Sequence, residues 1–139
     1  TLPAASLARL CFSGRFTLAQ IEKKITGQGG VMAYLGTNDM RKVTQRIEAG
    51  DAEAELVFEA LIYQVAKEIG AISVVLLGQV DAIILTGGIA HDAAFIAGVD
   101  RRVRHIAPVR VYPGEEEMIA LADGALRVLS GEEPARVYA

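Results

Sequence analysis

The stretch Asp81-Ala-Ile-Ile-Leu-Thr-Gly-Gly-Ile-Ala90 decides the fold class. An acidic residue leads into the apolar run Ala82, Ile83, Ile84 and Leu85, followed by Thr86 and the pair Gly87-Gly88. Continuous apolar residues ending in a sharp turn read as a buried strand that feeds a helix, expected here over Ile89–Val99. Such α/β units bind ligands beyond the carboxyl ends of their strands. Glycine allows close approach of a ligand, and a helix start presents free N–H groups to an anion. The plainer reading, a tight βα turn and nothing more, stands beside it.

Outward from this strand, the elements alternate between helix and strand patterns. Upstream, Asp51 caps an expected long helix from Ala52 to Leu77, with Glu53 and Glu55 complementing its first turn. Val57, Leu61, Val65, Ile69, Ile72 and Leu76 form its expected inward stripe, widened by Phe58 and Ile62. At about 1.5 Å per residue it would run roughly 40 Å, with an end apolar enough to be buried on several sides. Earlier still, Thr17–Ile25 reads as a short amphipathic helix capped by Thr17, and Asp39–Ala49 as another closed by Gly50. Between them the glycine-rich Thr26–Gly36 reads as a turn plus a short strand or irregular segment. Downstream, Val103–Ile106 and Val109–Tyr112 give strand signals around Pro108. A last helix is expected over Glu115–Leu129, carrying Met118, Leu121, Ala122, Ala125 and Leu129 inward.

Composition bounds the function. A chain of 139 residues, 52% hydrophobic and 22% charged, suits one compact domain. A net charge of −3 argues against a general binder of nucleic acid or anionic membrane. No run approaches the ~18 apolar residues of a membrane span, and Arg9 and Arg15 interrupt any signal-peptide pattern. The single Cys11 excludes an internal disulfide, reads as a small buried hydrophobe, and suits a reducing cytoplasm. His91, His105 and Cys11 lack the spacing of a zinc site. Arg101, Arg102, Arg104, His105 and Arg110 read as solvated surface. The chain opens on Thr1 in what looks like mid-domain sequence, so a fragment is expected.

Four segments together carry a resemblance to a known family. They are GGVMAYLGTNDMRKV (Gly29–Val43), YQVAKEIGA (Tyr63–Ala71), DAIILTGGIAHD (Asp81–Asp92) and APVRVYPGEEEMIALADGALRVLSGEE (Ala107–Glu133). In this order and spacing, the chain resembles the C-terminal portion of the butyrate kinases. These belong to the acetokinase family within the acetate and sugar kinase/Hsp70/actin superfamily. The resemblance implies an α/β, ribonuclease-H-like (actin-type) ATPase domain. Residues 1–139 would be the C-terminal part of the second, nucleotide-binding domain, with one long helix packed on a small sheet. Acetate kinases differ in following the paired glycines with a Gly-Glu-Asn type sequence, where this chain has Ile89-Ala90-His91-Asp92. They also carry a Thr-Asn-Glu-Glu type segment where this chain has Pro113–Met118.

The implied activity is transfer of the γ-phosphate of ATP to butyrate, giving butyryl phosphate and ADP. Resemblance places Gly87, Gly88, Ile89 and His91 along the adenosine, and Asp39, Met40 and Arg41 at the wall of the adenine. Met40 can offer a polarizable surface, Arg41 a stacking plane, and Asp39 a hydrogen-bond acceptor. From the residues alone Asp39 reads as a helix N-cap, with Arg41 solvated beside it; with the resemblance the binding reading is preferred. Glu116 matches the family's carboxylate near Mg²⁺, within one position of Glu115 or Glu117, although three acids in a first turn also stabilise a helix. The phosphate-binding groups lie upstream in this family, so the chain alone is expected to be inactive. A cytoplasmic homo-oligomer acting on ATP and a small carboxylate is implied, with no nucleic-acid or membrane partner. An acetate or propionate kinase and a non-catalytic nucleotide-binding module of the same superfamily remain alternatives.

Overall fold

A computed structural model describes residues 3–114 and 117–135. Its sheet is a parallel pair, β1 (Ile83–Gly87) and β2 (Val109–Pro113), in register from Ile83 opposite Val109 to Gly87 opposite Pro113. In β1, the strand expected to be buried, only Ile83 is buried. Parallel strands need a crossover, supplied here by helix α6 (Ala93–Val103). Its buried face, Phe95, Gly98, Val99 and Val103, joins Ile83 of β1 and Ala107 in the main core. The helix expected from Ile89 therefore starts four residues later. Gly88–His91 form a single 3₁₀ turn, and Asp92 caps α6 by accepting the Phe95 N–H at 2.9 Å. No strand forms at Val103–Ile106. Val103 closes α6 and is fully buried there, and the chain turns at Ile106, whose N–H reaches the Val103 carbonyl at 2.8 Å.

The long helix α5 spans Ala52–Ser73, 22 residues or about 33 Å, shorter than expected. Asp51 caps it, its carboxylate accepting from the N–H groups of Glu53 and Ala54. The fully buried line is Ala54, Phe58, Ile62 and Ala66, so the positions expected only to widen the stripe are its centre. Val57, Leu61, Val65 and Ile69 flank that line, half-buried. After Ser73 a 3₁₀ turn (Val74–Leu76) ends with Leu77 in a left-handed conformation at φ 53°. Burial of this segment on several sides is not found: Ile72, Val74, Val75, Leu76 and Leu77 are all exposed. Nor does α5 lie mainly on the sheet. It packs on α6, on α4 (Met40–Glu48) and on α3 (Gly30–Leu35), while Ile83 brings the sheet into the same core.

The α5–α6 crossing depends on Gly98. A Cβ there would stand 2.7 Å from Ile62 Cδ1 and 3.1 Å from its Cγ2, in a core where Ile62 is 1% exposed. Gly98→Ala is expected to destabilise the fold by about 1–3 kcal/mol, the usual cost of overpacking. Ile62→Val deletes the nearer clashing carbon, so the double variant should unfold later than Gly98→Ala alone. Chemical denaturation of the four proteins in the cycle checks this, and strict additivity would contradict it. A flanking charge pair also holds the crossing, with Arg102 Nη2 donating to Glu59 Oε2 at 2.7 Å. Arg102 is thus a half-buried strut, not solvated surface.

Residues 3–48 carry helices joined by turns, with no strand among them. Helix α1 (Ala4–Cys11) leaves Cys11 exposed, contrary to its expected burial. Helix α2 (Leu18–Thr26) starts with a reciprocal capping box between Thr17 and Gln20. The expected turn-and-strand at Thr26–Gly36 is instead the short helix α3. Its Leu35 is buried and Val31 packs on the core, a helical i, i+4 spacing that the flanking glycines disguise. Arg46 on α4 fastens α3 to α5, donating to the Leu35 carbonyl at 3.0 Å and to Asp51 Oδ2 at 2.7 Å.

These bonds have a pH consequence. The Ala54 N–H and the Arg46 guanidinium, with smaller help from Glu53, hold the Asp51 carboxyl below its ordinary range. A carboxylate with a depressed folded-state pKa adds stability above its unfolded value of about 4, and that stability is lost as pH falls through the folded value. Asp51→Asn keeps a good cap but not the charge, so its stability should fall less than wild type's on acidification. Equal acid limbs in a pH series of thermal melts would contradict this.

Helix α7 (Glu117–Leu129) forms over the described part of the expected span, but its apolar residues do not pack inward. Met118, Leu121 and Leu129 are exposed, at 79%, 68% and 83%. Among the described residues, no helix is long and apolar enough to cross a membrane.

Candidate nucleoside site

Two segments far apart in sequence carry the candidate residues, and a hydrogen bond between Thr44 and Asp92, which lie beside them, links their surroundings. The first is Gly87-Gly88-Ile89-Ala90-His91. Gly87 sits at φ 80°, ψ −176°, a conformation only glycine adopts readily. Its N–H and C=O exchange hydrogen bonds with Gly114 at 3.2 and 3.3 Å, extending the sheet by one bridge. Gly88 differs: its φ is ordinary, and a Cβ built there meets nothing within 4 Å. Neither backbone nor packing requires glycine at that position. Ile89 is half-buried against the core, while His91 is exposed, with its Nε2 beside Gly114.

The expectation that a helix start lies open behind the paired glycines is corrected by Asp92. Its carboxylate already occupies the N-terminus of α6, where an anion would otherwise receive free N–H groups.

The second segment is the start of α4. Asp39 is its N-cap, with Oδ1 accepting from the Arg41 N–H at 3.1 Å. The same carboxylate holds the Arg41 side chain at both oxygens, Nε to Oδ1 at 3.0 Å and Nη2 to Oδ2 at 3.1 Å. The Arg41 side-chain bond keeps the Asp39 carboxyl below its usual range, and Asp39 in turn raises Arg41. The capping reading of Asp39 is thus realised in the fold. Arg41 is oriented by its edge while its side chain remains 88% exposed, so the guanidinium faces stay available for stacking. Met40 is half-buried against the core, which leaves only part of it to meet a ligand.

Thr44, one turn along α4, joins the two segments. Its hydroxyl lies 3.0 Å from the Met40 carbonyl and 3.0 Å from Asp92 Oδ2. Thr44, Asp92 and Gly114 were not singled out from sequence. Asp92 carries one legible signal, an Asp placed to cap a following apolar run. The Thr44–Asp92 and Gly87–Gly114 contacts arise only through long-range packing. Glu116 and Glu115 lie outside the described residues, and the Glu117 side chain is likewise not described. Among the described residues, no three His, Cys, Asp or Glu gather as a metal cluster.

Comparison with solved structures identifies the architecture. The fold matches part of an acetate kinase from Porphyromonas gingivalis at TM-score 0.75, with 21% identity over 88% of this chain and 37% of that one. A propionate kinase from Francisella tularensis matches at TM-score 0.71, with 22% identity over 84% of this chain and 36% of that one. Residues 5–136 match the acetokinase family, and the chain belongs to it. It is 53% identical over 138 residues to a probable butyrate kinase 2 from Caldanaerobacter subterraneus. It is 52% identical over 137 residues to butyrate kinase 2 from Clostridium acetobutylicum. These alignments take in 99% of this chain but only 39% and 38% of the two relatives.

Proposed function

We propose that this chain is part of a cytoplasmic, homo-oligomeric kinase for short-chain carboxylates, with butyrate as its acceptor. The observation that carries this reading is the high identity, spread over nearly the whole chain, to proteins named butyrate kinase. Residues 1–139 would form the C-terminal part of a ribonuclease-H-like nucleotide-binding domain and supply the adenosine side of the site. Gly88 would admit the ribose, with Gly87 holding the turn and Ile89 anchoring it. His91 would line the same edge, and the Asp39-braced Arg41 would stack on the adenine beside Met40.

In the reaction, a carboxylate oxygen of the acid attacks the γ-phosphorus as the bond to the β–γ bridging oxygen breaks, and ADP leaves. This chemistry depends on positioning and charge, and the residues here contribute position. Glu115–Glu117 offer hard carboxylate oxygens of the kind Mg²⁺ accepts alongside water and phosphate oxygens, with Glu116 the proposed ligand. When bound, Mg²⁺ supplies charge neutralisation at the transferring phosphoryl group.

The test is to incubate the full-length protein with ATP and each of acetate, propionate and butyrate, trapping acyl phosphate as hydroxamate. Highest kcat/KM with butyrate supports the proposal. A preference for acetate or propionate would favour the kinases whose fold this chain shares. ADP binding with no acyl phosphate from any acid would leave a non-catalytic nucleotide-binding module.

A further inference from the structure

The Thr44 hydroxyl touches both halves of the candidate site, although the segments it joins are 48 positions apart between Thr44 and Asp92. It has one hydrogen and faces two acceptors, the Met40 carbonyl and the Asp92 carboxylate, so the bond is shared between them. Met40 lies between Asp39 and Arg41. Asp92 directly follows His91 and caps α6 through its other oxygen. A shift of α4 relative to the Gly87–His91 turn must therefore break or lengthen a charge-assisted hydrogen bond. Thr44 and Asp92 are both half-buried, which shields this bond from competing water.

We propose that Thr44 is a positioning residue, fixing through Met40 and Asp92 the spacing of the two walls that hold the nucleoside; this rests on the nucleotide reading given above. Without the hydroxyl, α4 and the glycine turn are held relative to one another, among the described residues, by their shared apolar core, which tolerates sliding. A nucleoside held between them would then have to order the walls as it binds, at a cost in affinity.

Three variants of the full-length protein test this. Thr44→Val removes the hydroxyl. Asp92→Ser keeps a good N-cap but withdraws the oxygen that reaches Thr44. Thr44→Ser restores the hydroxyl. The expected result is that the ADP dissociation constant and the KM for ATP rise roughly tenfold in Thr44→Val and Asp92→Ser. Their kcat and carboxylate KM should stay within about twofold of wild type, with Thr44→Ser close to wild type throughout. Should Thr44→Val fail to fold, Asp92→Ser decides alone.

Unchanged ADP affinity in the folded variants would overturn the inference. So would a fall in kcat that merely tracks the folded fraction, or a Thr44→Ser protein that behaves like Thr44→Val. Gly88→Val serves as the reference. If it weakens ADP binding while the Thr44 and Asp92 variants do not, only the positioning role fails. If it too leaves ADP binding unchanged, the nucleotide reading itself is wrong.

Discussion

Gly88→Val in the full-length protein is expected to weaken ADP binding roughly 10- to 100-fold while the fold persists. The structure makes this substitution unusually clean. Gly88 has an ordinary backbone conformation, and an added Cβ meets no atom within 4 Å, so the folded protein has room for a side chain. The space that valine would fill is the space the ribose is proposed to enter. Gly87→Val would not serve, because its φ of 80° strains any branched residue and confuses folding with binding. Calorimetric titration with ADP, paired with circular dichroism, separates the two effects. Wild-type affinity in a folded Gly88→Val protein would show that the paired glycines only make a turn.

The second large effect concerns residues 1–139 produced alone, which should self-associate and form no acyl phosphate. Ile72 and the run Val74–Leu77 present five large apolar side chains to water beside one another in sequence. Met118, Leu121 and Leu129 on α7 add a second apolar surface. Each such side chain in water forgoes roughly 1.5–3 kcal/mol of burial, so covering a few of them is enough to drive association. Among the described residues, β1 pairs with β2 alone, and Ile84 on that strand is exposed. An open strand edge is a further template for pairing. Activity should be absent because phosphoryl transfer needs groups on both sides of the phosphates, and the residues here are proposed to line the nucleoside. Sedimentation that shows a monomer, or hydroxamate formed from ATP and butyrate, would contradict one half of this expectation or the other.

Local chemistry that acts within a turn or two was readable from the chain. The caps at Thr17, Asp39 and Asp51 all form, because each needs only its own first-turn N–H groups. The strand at Ile83–Gly87 was legible from its unbroken apolar run. Errors arose where tertiary context chose between local options. The pattern at Val103–Ile106 suits a strand, yet Val103 completes the buried face of α6 beside Val99. In α5, a stripe through Val57, Leu61 and Val65 and one through Phe58 and Ile62 differ by a single step around the helix. Gly98 settles the matter by letting Ile62 approach. The inward face assigned to α7 presupposed a partner surface that the described residues do not provide.

The candidate site was legible in part for the same reason. Paired glycines after a strand announce a turn with room beside it, and Asp39-Met40-Arg41 announces a capped helix. That Thr44, one turn beyond the second, bonds Asp92, which follows the first, is a property of packing over long sequence separation. Sequence also suggested an anion site at a helix start behind the glycines. The structure puts a 3₁₀ turn and the Asp92 carboxylate there instead.

Photolabelling of the full-length protein with 2-azido-ADP, followed by peptide mapping, tests the proposed nucleoside role most directly. The account predicts covalent label on the peptide containing Met40 and Arg41 and on the peptide containing Gly88–His91, with both suppressed by excess ADP. ADP-protected label found only elsewhere, with neither peptide modified, would contradict it.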